Sequence, residues 1–521
     1  MSHSRSVQVV FLTILTCLVS VATADAADAN AVEAAVESIT VDELKQHVNV
    51  LASDTFEGRE AGSRGGKAAG AYLIDTLKKM GVATGGDSSF YQFFDNDFRN
   101  VLAVVPGSDP VLKREFIVVS SHYDHVGFGS ARNSYGPIGR IHNGADDNAS
   151  GTAGLLEMIA AFSDLKPAPR RSILFAFWDA EEKGLLGSEH WVSHPTVPLT
   201  QVKLMFNVDM IGRLRKNSLE MYGVRTAVGL RRLLCEQNHT SNLELDFNWN
   251  TKRESDHYPF YARRIPYLMF HTRKHENYHR PSDDVDKLNL DGMKKIARLM
   301  FRTVYTAADA ATLPSFRSAA LGETSGTRSI QLRKAQPRPP RLDLKWDKKL
   351  AADGVIKVVN IRAGSAAARD GLKVGDRILR FGNYDINADD DFNLVVLAAK
   401  SPAKVTVERD GEAKPVELKV ALRGNPVRIG ISFADDEAEP GVVRITRVTP
   451  NSPAARAGLK PNHRIYEVSG ERFTSNNEFH ELVTTLPSPL KLLVEGRGQT
   501  STVELKLLRQ LEETDEPTAA K

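Results

Sequence analysis

Residues 116–125 of this chain are Phe-Ile-Val-Val-Ser-Ser-His-Tyr-Asp-His. The first five form a short apolar run with β-branched residues, which predicts a buried strand. His122, Asp124 and His125 follow that strand directly. In an open α/β sheet, side chains at the carboxyl end of a strand face a cleft. On its own the His-x-Asp pattern is a weak signal, so its meaning depends on the surrounding chain.

Similar apolar runs recur on both sides of this stretch, at residues 172–177, 202–208 and 265–270. Helix-like patterns lie between them. Residues 154–165, for example, place Leu155, Ile159 and Phe162 on one face. This alternation predicts an α/β domain over residues 38–310, with a mixed, largely parallel sheet flanked by helices.

Clusters of acidic or histidine residues accompany these predicted strands. No single cluster is decisive, because a helix cap or turn could explain the one at residues 143–151 and a charged helix start the one at residues 179–183. Because the carboxyl ends of adjacent parallel strands meet in one crevice, we expect these clusters to converge. Besides His122 and its neighbours, the clusters are Asn143–Gly151, Asp179–Lys183, Asn207–Met210 and His275–Asp284.

Such a set of histidines and carboxylates, without cysteine, suits zinc, with cobalt or manganese as alternatives. Five ligands are more than one catalytic zinc ion uses, because such an ion usually keeps three protein ligands and an open position. A carboxylate that bridges two ions accounts for the number. The pattern therefore favours hydrolysis by a two-metal centre.

The second half of the chain differs in composition. Residues 311–340 are rich in Ser, Thr, Gly and Pro and predict an exposed linker. Residues 354–378 then align with residues 441–465 at an offset of 87 without a gap. This repeat predicts two small β-rich domains, at 341–423 and 424–510, before a polar, acidic and disordered tail at 511–521.

The N-terminus has the pattern of a signal peptide over residues 1–24. A basic residue, Arg5, precedes an apolar stretch, and Ala22-Thr23-Ala24 provides a small-x-small cleavage site. We expect an exported protein, periplasmic or extracellular, with no transmembrane segment in the mature chain. A lipoprotein signal at Cys17 and an uncleaved anchor helix are the alternatives. The net charge of +3 gives no general attraction to nucleic acid.

Eight motifs along residues 38–305 together resemble the zinc peptidase family of bacterial leucyl aminopeptidase and aminopeptidase Y. Their number and their order make the resemblance specific. They are Leu51–Asp54, Glu57–Arg59, His122–His125, Gly144–Gly151, Ala180–Glu182, Gly187–Ser188, Asn207–Asp209 and Tyr278–His279.

The resemblance implies two zinc ions per chain and a role for each ligand. One ion is bound by His122 and Asp209, and the other by Glu182 and His279. Asp146 bridges the two ions, and its peptide bond to the next residue is cis in relatives.

Two further acids receive catalytic roles from the resemblance. Glu181 is the general base that takes a proton from the attacking water and later delivers it to the leaving amine. Asp124 orients the His122 imidazole.

One position departs from the family pattern. Some relatives place a tyrosine shortly before Ser-Asp-His, where it helps to hold the tetrahedral intermediate. Residues 252–257 contain no tyrosine there. Lys252, Arg253 or Tyr258 could substitute, or the metals alone could hold the oxyanion.

The two C-terminal repeats resemble PDZ domains of the bacterial protease type. Such domains bind a chain terminus along a sheet edge. In the second copy the resemblance assigns peptide binding to Gly430, Ile431, Ser432 and Phe433, where glycine permits close approach of the backbone. The first copy has residues 342–346 in that place and no glycine, so we expect it to serve in packing.

The sequence therefore predicts an exported two-zinc exopeptidase, an aminopeptidase acting on peptides or proteins, with PDZ domains that capture a substrate or a partner's C-terminal peptide. Two alternatives stay open. One is a di-zinc carboxypeptidase or a glutaminyl cyclase-like enzyme. The other is a non-catalytic PDZ scaffold on a peptidase fold.

Overall fold

A computed structural model of the chain describes residues 29–333, 335–336, 339–382, 384–386 and 392–507. These residues form two compact units, of which the first contains the chain up to Arg328 together with Arg497–Gln499 and the second contains the remainder. The predicted signal peptide and the predicted tail at 511–521 lie outside the described residues.

The first unit is a sheet covered by helices. Its strands are β1 (Ala83–Thr84), β2 (Tyr91–Phe94), β3 (Phe98–Val105), β4 (Phe116–His122), β5 (Ser172–Trp178), β6 (Val202–Val208), β7 (Ser218–Tyr222), β8 (Glu244–Phe247) and β9 (Tyr267–His271). Its helices are α1 (residues 29–37), α2 (Val41–Leu51), α3 (Arg64–Met80), α4 (Gly151–Asp164), α5 (Leu186–Ser193), α6 (Leu230–Gln237), α7 (His257–Ala262) and α8 (Leu290–Asp309).

The strand order is β1-β3-β5-β4-β6-β9-β7-β8, with β2 paired to β3. The central strands β5, β4, β6 and β9 are mutually parallel. All seven residues of β5 are buried, as expected for a strand covered on both faces. The predicted α/β fold with a mixed, largely parallel sheet is therefore confirmed.

Local sequence signals set the ends of several helices. The Thr40 side chain caps α2 by accepting from the backbone N–H of Glu43. Gly81 ends α3 in the left-handed conformation, at φ 69°. Helix α4 packs on α8 through Phe162 and Phe301, whose ring centroids are 4.1 Å apart.

The segment 311–340 is more ordered than the predicted exposed linker. It contains a 3-10 helix at Ser318–Gly322 and the helix α9 (Ser325–Gln331). Glu323 pairs with Arg225 at 2.7 Å, and the Arg317 N–H donates to the Thr226 carbonyl at 2.7 Å. Its first part therefore belongs to the first unit. Its composition did not indicate this, because polar residues serve both linkers and surface contacts.

The second unit contains two sheets of similar construction. The strands are β10 (Leu344–Trp346), β11 (Ile356–Ile361), β12 (Arg377–Phe381), β13 (Tyr384–Asp385), β14 (Ala403–Glu408), β15 (Val416–Val420), β16 (Ile431–Ala434), β17 (Val443–Val448), β18 (Arg464–Val468), β19 (Leu490–Gly496) and β20 (Gln499–Leu505). The helices are α10 (Lys348–Ala352), α11 (Ala366–Arg369), α12 (Phe392–Ala398), α13 (Pro453–Arg456) and α14 (Asn476–Thr485).

The 87-residue offset of the repeat recurs in the contacts of the two sheets. Trp346 packs on Phe392 with ring centroids 4.8 Å apart, and Phe433 packs on Phe479 at the same distance. A second pair of contacts repeats in the same way, because Arg341 donates to the Ala399 carbonyl and Arg428 to the Leu486 carbonyl. The two copies therefore share one fold.

Candidate metal centre

The predicted ligand clusters lie together at the carboxyl edge of the parallel strands. His122 ends β4, and the acidic cluster at residues 179–182 follows β5. Asp209 follows β6, and the loop that carries His279 follows β9. Since these four strands are neighbours in the sheet, their ends form one site.

Two histidines each face two carboxylates. His122 Nε2 lies 3.4 Å from Asp147 Oδ1 and 3.4 Å from Asp209 Oδ1. His279 Nε2 lies 3.0 Å from Asp147 Oδ2 and 3.2 Å from Glu182 Oε2. Atoms that bind one zinc ion at about 2.0–2.2 Å lie at roughly this separation from one another. Asp147 thus presents Oδ1 to the His122 group, formed with Asp209, and Oδ2 to the His279 group, formed with Glu182.

The tautomers of these histidines favour a cation at each group. The other ring nitrogen of His122 contacts the Asp124 carbonyl at 3.2 Å, and that of His279 contacts the Asn133 carbonyl at 2.7 Å. Because a carbonyl only accepts, both Nδ1 atoms carry the proton, and in the neutral rings both Nε2 lone pairs point at carboxylates. Such a contact is favourable only when a ring proton or a bound cation lies between the nitrogen and the carboxylate, and the donor set and spacing fit two metal ions.

The electrostatics of His279 lead to the same conclusion. Burial alone would lower the pKa of His279, but its hydrogen bonds with Asp147 and Glu182 outweigh burial and raise that pKa to about 11. A positive charge is therefore stabilised at this position. A bound metal ion supplies such a charge and leaves the imidazole neutral.

The prediction that Asp146 bridges the metals is wrong. Its carboxylate accepts from the Gly212 N–H at 2.6 Å and lies 3.1 Å from His275 Nε2, outside both groups. Asp147 occupies the bridging position, and the cis peptide bond joins Asp147 to Asn148. The two acids are adjacent and alike in sequence. Only the backbone path decides which of them turns into the cleft.

Asp124 lies beneath the acidic pair that follows β5. Its carboxylate accepts from the backbone N–H of Glu181 at 3.0 Å and of Glu182 at 3.3 Å. Its distance to His122 Nδ1 is 3.7 Å, so the orientation of that ring comes from the Asp124 carbonyl instead. Asp124 therefore contacts the His122 ring through its carbonyl, and its carboxylate also positions the two glutamates, which the sequence did not indicate.

Glu181 lies beside His122 and Asp209 and lines a cavity of about 330 Å³. Burial raises the pKa of Glu181 well above the ordinary carboxyl value. A carboxylate with a raised pKa at the edge of a cavity is suited to accept and return a proton.

The structure adds one residue, His125, to the site and separates two of the candidates for the missing tyrosine. His125 Nδ1 lies 2.8 Å from Glu182 Oε1, whereas His279 faces Glu182 Oε2, and so His125 orients that ligand. Its spacing after His122 was visible in the sequence, but its partner was not. Of the three proposed substitutes for the missing tyrosine, Lys252 lines the cavity. Arg253 donates to the Gly184 carbonyl at 3.3 Å.

The predicted peptide-binding residues of the second repeat lie at a sheet edge. Gly430 has φ 87° and comes directly before β16, which holds the other three. A Cβ at Gly430 would lie 2.1 Å from Ser452 Cβ, so the position requires glycine. Phe433 packs on Phe479 of α14.

Comparison with known proteins gives the class of each part. Residues 100–304 match Peptidase family M28, and residues 330–420 and 444–496 each match a PDZ domain. The chain thus contains a family M28 zinc peptidase domain followed by two PDZ domains, which confirms both resemblances.

Aminopeptidase YwaD of Bacillus subtilis is 31% identical over 204 residues, which cover 37% of this chain and 41% of that protein. A probable leucine aminopeptidase of Arthroderma otae is 29% identical over 177 residues, covering 33% of this chain and 45% of that protein. The chain therefore spans less than half the length of these curated relatives. Among solved structures, the LapA aminopeptidase of Legionella pneumophila matches with a TM-score of 0.46 and 22% identity, covering 54% of this chain and 74% of that one.

In the part of the chain that the structure describes, none of the helices has the length and apolar character that a membrane crossing requires.

Proposed function

We propose that this protein is an exported aminopeptidase that uses two zinc ions to release residues from the N-terminus of peptides. The observation that carries the proposal is Asp147, whose two carboxylate oxygens face different histidines. The sequence of residues 1–24 supports export.

In this proposal His122 and Asp209 would hold one ion, Glu182 and His279 would hold the other, and Asp147 would contribute one oxygen to each. When bound, the ions would supply polarisation of the peptide carbonyl and a lower pKa for the attacking water.

The protein's own groups handle the proton. The Glu181 carboxylate accepts a proton from the attacking water and returns it to the nitrogen of the leaving amine. Asp124 keeps Glu181 in place through the Glu181 backbone N–H. Lys252 lines the cavity, and we assign it the donation of a hydrogen bond to the developing oxyanion.

The aminopeptidase activity is supported by the names of the relatives. A non-catalytic scaffold is disfavoured because the metal-ligating residues and Glu181 all lie together at one cavity. A carboxypeptidase or a cyclase would use the same ligands, so substrate choice must separate these alternatives.

The test compares matched peptides with free and with acetylated N-termini, using the mature zinc-loaded protein. We expect hydrolysis from the free amine end only, with release of single residues. Cleavage of acetylated peptides from the carboxyl end would replace the aminopeptidase with a carboxypeptidase. Formation of pyroglutamate from N-terminal glutamine would indicate a cyclase.

We further propose that the first PDZ domain captures a peptide C-terminus, although its sequence favoured a packing role. A cavity of about 480 Å³ lies beside the edge strand β10 and is lined by Leu344, Trp346 and Leu397. Arg362 also lines it, and its charge favours a carboxylate, whereas Arg423, which lines the same cavity, is paired with Asp343 at 3.0 Å. An edge strand next to an apolar groove suits the addition of a peptide strand.

Binding is measured by titrating peptides with a free or an amidated C-terminus while Trp346 fluorescence is followed. We expect the free carboxylate to bind more tightly. Leu397→Glu should weaken binding at least tenfold, because it places a charge in the groove. Leu394→Glu, on the same helix but outside the groove lining, is the matched control. Equal loss in both variants would contradict the proposal.

A further inference from the structure

Arg59, in the Glu57–Arg59 motif, is a buried cation near the metal centre with no part in the proposed chemistry. The residue is 1% exposed. Its guanidinium donates to the carbonyls of Tyr123 at 2.9 Å, Leu51 at 2.7 Å, Asn143 at 2.7 Å and Gly144 at 3.0 Å. These four hydrogen bonds all end on main-chain oxygens.

Three of those carbonyls belong to the segments that present metal ligands. Tyr123 follows His122 directly, while Asn143 and Gly144 lie three to four residues before Asp147. One side chain thus connects the end of β4 to the loop that carries the bridging carboxylate.

The opposite side of that loop is held by Asp283. Its carboxylate accepts from the backbone N–H of Asp146 at 3.0 Å and of Asp147 at 3.1 Å. Gly144 makes the turn between these contacts at φ 55°, where a Cβ would lie 2.2 Å from the Asp147 carbonyl oxygen. The loop is therefore held through its carbonyls by Arg59 and through its N–H groups by Asp283.

We propose that Arg59 is a positioning residue, which places Asp147 so that its carboxylate can bridge two zinc ions. The inference rests on the proposed two-zinc function. Arginine suits this place because its planar guanidinium has five donors in a fixed geometry, whereas lysine has one flexible ammonium group. Four carbonyls at 2.7–3.0 Å use that geometry.

The charge of Arg59 also fits this environment. Burial lowers the pKa of Arg59 to about 10, against the attraction of Asp147, Asp124 and Asp283. The guanidinium therefore stays protonated at neutral pH beside a group of acids.

The experiment measures zinc stoichiometry and affinity by competition with a chromophoric chelator, in full-length Arg59→Lys and Arg59→Met. Groups that orient metal ligands typically change affinity about 10- to 100-fold when removed. We expect such a loss for at least one of the two ions in both variants. Lysine should not restore binding, because the hydrogen bonds and not the charge alone place the loop.

The control is Arg171→Met. Arg171 is 2% exposed and pairs with Glu115 at 2.8 Å next to the start of β5, at the opposite end of that strand from the ligands. It should lower the unfolding temperature yet keep both zinc affinities. An unchanged zinc affinity in either Arg59 variant would overturn the proposal, as would an equal loss in Arg171→Met.

Two other outcomes have definite meanings. If both Arg59 variants fail to fold while Arg171→Met folds, Arg59 serves the fold and not the metal site, and the proposal is overturned. If the wild-type protein itself binds no zinc, the proposed function is overturned and the role of Arg59 that rests on it is overturned with it. The two failures are therefore distinguishable.

Discussion

At the scale of the residue, function depends on the different positions that two adjacent acids take in the site. Asp146 and Asp147 differ by one position, yet the first accepts from the Gly212 N–H and the second faces both histidines. Glu181 and Glu182 also take different positions, because Glu182 contacts His279 while Glu181 lies with His122 and Asp209. In each pair one carboxylate lies at the His279 group and its neighbour does not.

Glu181→Gln should keep both zinc ions and lose activity by about 100-fold or more, because the amide cannot accept the proton. Steady-state kinetics and metal analysis of the same preparation provide the measurement. The matched control is Glu236→Gln on α6, which pairs with Arg232 at 2.7 Å, does not line this cavity and should keep activity near the wild-type level. Activity near the wild-type level in Glu181→Gln would show that another group is the base.

At the scale of the element, the parallel strands explain why much of the site could be predicted from the sequence. Apolar runs such as β4 and β5 are recognisable because burial on both faces excludes polar residues. Their carboxyl ends then define the cleft. The sequence could not show which acid of a pair turns inward, since that depends on the backbone at Ala145–Ser150. The role of Arg59 could not be predicted from the sequence either, because its hydrogen-bond partners are backbone carbonyls of separate segments.

The helices behind the sheet make a quantitative prediction. Phe162 of α4 and Phe301 of α8 are both 0% exposed and stack against each other. Phe162→Ala should lower the free energy of unfolding by about 3–5 kcal/mol, since it leaves a cavity between the helices. Phe93→Ala, at a residue 53% exposed, should cost far less. Denaturant titration of the first unit's transition measures the free energy of unfolding of both variants. A loss below about 1 kcal/mol for Phe162→Ala would contradict the packing of α4 on α8.

At the scale of the whole molecule, the peptidase domain and the PDZ pair form separate compact units. The metal-ligating groups all lie in the first unit. Zinc bound at the proposed site should stabilise the folded state of that unit alone.

Calorimetry of the full chain with zinc and with a chelator tests this independence. We expect the chelator to lower the unfolding temperature of one transition and leave the transition of the PDZ pair unchanged. Restoring zinc should reverse the shift. A chelator effect on both transitions would show that the metal site and the PDZ pair unfold as one cooperative unit.

The account depends most on Asp147 as the bridge between two zinc ions. The direct test is the zinc content of three proteins purified alike: wild type, Asp147→Asn and Asp146→Asn. We predict two ions per chain in the wild type and in Asp146→Asn, and one or none in Asp147→Asn, because an amide cannot bridge as a carboxylate does. Two ions retained in Asp147→Asn, with loss in Asp146→Asn, would contradict the site described for this protein.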